Sequence, residues 1–145
     1  MEEQNSIIIK VVDFSISPGP RYVQQGKSSG EDFYHSILNL KFYEAFTSNK
    51  KIIVNLDGVD GYMSSFLDEA FGNLVYDFGR EEVASRLSFI STEEPEWVSL
   101  IENITFSEWE KRRNKSNRPL VTTKHPKWYR VVDGKDELTY YDPTI

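Results

Sequence analysis

A chain of 145 residues, 39% hydrophobic and 28% charged, suits one domain with a real core. It has no cysteine, which excludes disulfides, thiolate metal sites and a thiol nucleophile, and no apolar run approaches the ~20 residues of a membrane span. The net charge of −6 is unevenly placed: residues 1–110 carry net −11 and residues 111–130 net +8, so a basic band follows an acidic body.

The acidic, polar opening MEEQNS does not read as a signal peptide, and a cytoplasmic protein is expected. Residues 7–13, IIIKVVD, are β-branched and almost continuous, the pattern of a buried strand. Pro18-Gly19-Pro20 forces a turn, and residues 21–25, RYVQQ, read as a short returning strand. A helix is predicted from near Ser29, where both Ser28 with Glu31 and Ser29 with Asp32 approximate a capping box, through Phe33, Ile37, Leu40 and Tyr43 or Glu44 to Ser48-Asn49. Residues 51–56, KIIVNL, form a second strand, with an apolar core short enough to be covered on both faces.

The turn-rich Asp57-Gly58-Val59-Asp60-Gly61 leads into a stripe of Phe66, Leu67, Ala70, Phe71, Leu74, Val75 and Phe78, a period of 3.6 with Gly79 as its stop. Asp68, Glu69, Asn73 and Asp77 lie off this stripe. A third strand is predicted over 85–91 and a helix after Thr92, with Trp97, Leu100, Ile101 and Ile104 on its apolar face. LVTT at 120–123 reads as a strand. The tail WYRVV-Asp133-Gly134-…-ELTYY reads as a β-hairpin. Strands alternating with helices predict an α/β domain with a mixed sheet, helices packed on it and a C-terminal hairpin extension.

The pair Ser64-Ser65 opens the third predicted helix. One reading is an N-cap, with Asp68 three residues after Ser65. The other is a hydroxyl exposed at a helix N-terminus, where a phosphate would meet free amides. Four stretches carry a resemblance: PGPRY at 18–22, SGEDFY at 29–34, IIVNLDGV at 52–59 and SSFLDEAFGNLV at 64–75. In this order they resemble the STAS-like family of uncharacterised bacterial proteins, related to the STAS domain of anti-sigma factor antagonists.

That resemblance implies a STAS-like domain over residues 1–114, with 115–145 as a basic segment and hairpin packed on it or extending it. It implies a non-enzymatic regulatory domain that binds a protein partner, such as a histidine-kinase-like ATPase, with no cofactor and no metal. The phosphorylation candidates carried over by position are Ser64 and Ser65, and the partner-binding candidates are Asp57, Asp60, Tyr62, Met63, Asp68 and Glu69. Met63 stands where the antagonists have an aspartate before the serine, and Phe66 where they have a glycine after it.

Other patterns carry less. Gly26-Lys27-Ser28-Ser29-Gly30 lacks phosphate-loop spacing, and the carboxylates near residue 60 lack calcium-loop spacing. His35 and His125 have no partner histidine at ligand spacing, and no nucleophile elbow is present. The basic band, with Arg112, Arg113, Lys115 and Arg118 near Trp128 and Tyr129, is the alternative functional surface: a nucleic-acid interface.

Overall fold

The structure, a computed structural model, describes residues 5–143. The first four residues of the acidic opening and the last two of the tail lie outside them. Strand β1 (Ser6–Lys10) runs into a one-turn helix α1 (Val11–Phe14). After a loop, helix α2 covers 30–47, and β2 (Lys51–Asn55) follows. Helices α3 (Ser64–Phe78) and α4 (Arg80–Arg86) lead to β3 (Leu87–Ile90). Helix α5 covers 96–114, and the chain ends in the hairpin β4 (Trp128–Val132) and β5 (Lys135–Thr139).

β1, β2 and β3 form a parallel sheet in that order, with Ile9 beside Val54 and Val54 beside Phe89. Antiparallel pairing is confined to the separate β4–β5 hairpin, so the two strand directions sit in two sheets. RYVQQ does not return as a strand. Val23–Gln25 is a 3₁₀ turn, and Tyr22 N–H donates to the Gln25 side chain instead of to a ladder. LVTT is likewise not a strand, and the SRLSFIS strand is shorter than predicted because Arg80–Arg86 is helical.

α2 starts where the sequence places it: Ser29 Oγ accepts the Asp32 N–H at 3.0 Å. Ser29 is fully buried, so Ser29→Ala is expected to cost about 1 kcal/mol in urea unfolding. A Cβ on Gly30 would stand 2.5 Å from the Phe66 carbonyl oxygen, so only glycine lets α2 begin this close to α3. The hairpin turns on Asp133 and Gly134, whose φ angles of 52° and 77° match a type I′ turn.

Phe66, Leu67, Phe71, Leu74 and Phe78 fill the core. The polar side of α3 is buried too, unlike an ordinary surface helix, because α2, α5 and β4 all pack on it. Its stripe of Glu69, Asn73 and Asp77 is met by polar groups brought from elsewhere. Arg21 Nη1 lies 3.2 Å from Glu69, Asn73 donates to Glu69, Tyr34 donates its hydroxyl proton to Asp77, and Arg130 Nε stands 3.0 Å from Asp77 Oδ1. The last contact is an ion pair rather than an aligned hydrogen bond. Burial outweighs these partners and pushes Glu69 and Asp77 each up to about 7.

The basic segment is tied to the body. Glu31 on α2 is buried and accepts from Thr122 N–H at 2.9 Å, Val23 N–H at 3.1 Å and His125 Nε2 at 2.7 Å. Burial raises the Glu31 carboxyl, but these donors prevail and bring it down to about 2. Asn39 bonds both the N–H and the carbonyl of Tyr129, which fixes β4 against α2.

Candidate functional site

The C-terminal ends of β1, β2 and β3 are joined by three loops that brace one another. Asp57 accepts from the Thr92 hydroxyl at 2.6 Å and from the Thr92 and Glu93 N–H groups at 2.9 and 3.0 Å. These donors hold its pKa below the ordinary carboxylate range. Glu93 answers by accepting the Gly58 N–H at 2.7 Å. Asp60 N–H donates to the Ile16 carbonyl at 2.7 Å, and Ser17 donates its hydroxyl proton to Asp60. Tyr62 donates to the Leu56 carbonyl and lays its ring against Phe66 and Trp97.

This bracing delivers Met63, Ser64 and Ser65 to the start of α3. Neither serine is the N-cap. Met63 holds that position in extended conformation, its carbonyl accepts the Phe66 N–H, and no side chain caps the helix. Ser64 is exposed in the first turn, Ser65 is half-buried and Met63 is 53% exposed. The capping interpretation therefore fails for both hydroxyls. The helix start keeps amides uncovered by any side chain, beside an exposed hydroxyl.

The remaining candidates divide by depth. Asp60 is exposed, whereas Asp57 and Tyr62 are half-buried and give the loop its shape. Asp68 is held by Arg21 Nη1 at 2.6 Å and by Trp109 Nε1 at 3.1 Å. Glu69 is 1% exposed, so its carboxylate serves the interior. The four acids do not converge on one point, since Asp57 and Asp60 serve the loops while Asp68 and Glu69 serve Arg21. Sequence reasoning missed Ile16, which is 60% exposed and placed beside Asp60 by its own carbonyl. Its signal was an isoleucine stranded in the polar run Ser15–Ser17.

The arginines of the basic band are drawn into the fold. Arg112 lies 4.3 Å over the Trp109 ring and donates to the Arg118 carbonyl. Arg113 donates to the carbonyls of Tyr76 and Val131. Arg118 stacks over Tyr141, while Lys115 is exposed.

A parallel three-stranded sheet carrying crossover helices, followed by an antiparallel hairpin, makes this an α/β domain. Residues 29–97 match the family model described as a STAS-like domain of unknown function (DUF4325). The match opens on the buried cap Ser29 and closes on Trp97, enclosing α2, β2, α3, α4 and β3. No curated protein and no solved structure matches the chain. No helix among the described residues is long and apolar enough to cross a membrane.

Proposed function

We propose that the domain is a non-enzymatic regulator that docks a protein partner through the corner at residues 57–69, with Ser64 as the switch. The observation that carries this reading is the exposure of Ser64 beside side-chain-free amides, on a loop braced from both sides. A rigid loop orders little on binding, so its contacts translate into affinity. Met63 supplies an apolar anchor and Asp60 a polar rim. A phosphate on Ser64 would add nearly two negative charges at the docking surface. Asp68, one turn on, is already paired with Arg21, so it offers the phosphate little opposition within the helix. The effect would fall on the partner, whose docked surface would meet an unpaired charge.

The partner class carried by the resemblance is a histidine-kinase-like ATPase. The test is to incubate the full chain with a purified histidine-kinase-like ATPase and ATP, and to map the modified residue. Phosphate on Ser64 and a loss of about tenfold or more in docking for Ser64→Glu are expected, with Ser64→Ala retaining the complex. A complex whose affinity is indifferent to Ser64→Glu, Met63→Asp and Asp60→Lys would place docking elsewhere and end this reading.

A further inference from the structure

Among the described residues, the three-stranded sheet is covered on one face only. Ile7, Ile9, Ile52, Val54, Leu87 and Phe89 face the helices, and all belong to the core or pack on it. The alternate residues point the other way. Ile8 is 52% exposed and Ile90 40%, and the half-buried Ile53 lies beside Ile8 without joining the core.

Parallel sheets are normally covered on both faces, and their strands then read as unbroken apolar runs. The central triplets Ile7–Ile9 and Ile52–Val54 are such runs, although Ser6, Lys10, Lys51, Asn55 and Ser88 put polar groups around Ile8, Ile53 and Ile90 on the open face. A strand with one face in water would alternate with polar residues, so Ile8 and Ile53 are the wrong residues for a permanently wet face. At one end the surface is concave: a groove of about 710 Å³ is lined by Lys51, Ile53, Ala84 and Ser88 among others.

The charge carried by the strands themselves has one sign. The three strands contain no acid, and their two lysines both lie on the open side, Lys51 beside Ser6 at the N-terminal ends of β1 and β2 and Lys10 beside Asn55 at their C-terminal ends, one on each side of the Ile8–Ile53 pair. Lys51 Nζ also donates to the Ser85 carbonyl, which holds it over the groove.

The size suits a helix. Three strands span roughly 10–14 Å across, and five residues run about 16 Å along them. That matches one helix about 10 Å wide and roughly eleven residues long. A homodimer through this patch alone would bury far less than the ~800 Å² per partner that stable association requires.

We propose that this face is the docking site of an amphipathic helix from a partner protein, with an apolar stripe on Ile8, Ile53 and Ile90 and carboxylates reaching Lys10 and Lys51. The surface is separate from the serine corner, so the domain has two docking faces. The helix completes the second layer that the strand sequences are built for.

The test uses the full chain and two synthetic helical peptides of about 14 residues sharing one leucine stripe, one flanked by glutamates and the other by lysines. Titration is followed by backbone amide NMR shifts. The glutamate peptide is expected to shift β1, β2 and β3, and the lysine peptide to bind about tenfold more weakly. Ile8→Glu or Ile90→Glu, both at exposed positions, should each weaken the glutamate peptide about tenfold while leaving the remaining amide spectrum in place. Equal binding of the two peptides, binding of neither, or indifference to both substitutions overturns the proposal. So does a sedimenting dimer that Ile8→Glu dissociates, because the occupant would then be a second copy.

Discussion

Trp109→Ala is expected to destabilise the domain by about 3–5 kcal/mol in urea unfolding, the range for emptying a buried tryptophan site. Trp109 is 2% exposed and lies against α3, where a Cβ on Gly72 would stand only 2.1 Å from its Cε2. Its Nε1 donates to Asp68, and Arg112 covers its other side. The contact is therefore a lock of one shape: a glycine notch on α3 receiving an indole from α5.

The converse substitution tests that shape. Alanine is a better helix former than glycine by ~1 kcal/mol, so propensity alone would make Gly72→Ala stabilising. The notch reverses the sign, because the indole must move and lose Asp68, and a net loss of about 1–3 kcal/mol is expected. In a Trp109→Ala background the same change should become neutral or stabilising. A Gly72→Ala protein more stable than the parent, with Trp109 in place, would mean that the two helices do not approach this closely. Trp109 stands beyond the 29–97 family match, so a large loss would also establish α5 as part of the core on which the serine corner is built.

The parts of the fold legible in the sequence are those set by local chemistry. The Ser29 cap, the Gly79 stop and the Asp133-Gly134 turn each follow from a few neighbouring residues. The stripe on α3 is legible because that helix is regular from end to end. α2 and α5 are less so, since each contains a π-helical turn, Tyr34–Leu38 and Ile101–Thr105. Such a turn inserts a residue and rotates the buried face. A uniform period therefore assigns Leu40 and Ile104 to the core, where they are 47% and 55% exposed, and overlooks Leu38, Phe42 and Phe106.

The polar stripe of α3 was hidden for a different reason. Glu69, Asn73 and Asp77 look like a solvated face until Arg21, Tyr34 and Arg130 arrive from distant segments. Satisfaction of a buried carboxylate is a tertiary property, and spacing within one helix carries no trace of it. The serine corner shows the same limit on a smaller scale. Ser64-Ser65 has the composition of a cap, but the Tyr62 anchor to Leu56 sets the path of the chain and puts Met63 in the capping position.

The second large effect concerns His35 and pH. Its ring is stacked at 3.9 Å on His125, meets Trp128 edge-on at 4.5 Å and Tyr34 at 5.0 Å, and its Nδ1 is buried without a partner. Burial, with the neighbouring His125 adding to it and the more distant Glu31 opposing it, brings His35 down from its ordinary 6.5 to about 3. Between those values the unfolded chain takes up a proton that the folded chain refuses, so this histidine contributes stability above pH 6.5 that is lost as pH falls toward 3. Glu31 contributes in the same direction, its share fading between 4.5 and about 2. Glu69 and Asp77 oppose both, because folded carboxyls raised to about 7 favour the native state as pH drops toward 4.

A wild-type curve would mix these terms, so the prediction is a difference. His35→Phe keeps an aromatic ring in the site and cannot titrate, while the three carboxyls remain common to both proteins. From pH 6.5 to 4.5 the variant should gain about 2–3 kcal/mol relative to the parent, at about 1.4 kcal/mol per unit of pH. Paired urea titrations across that interval measure it directly. A gap that stays constant would mean that His35 titrates as an exposed imidazole does, and that the seam between α2 and the basic segment is open to water. A gap that widens by that amount would make the buried His35, stacked on His125, an acid-sensitive fastening of the basic segment to the domain.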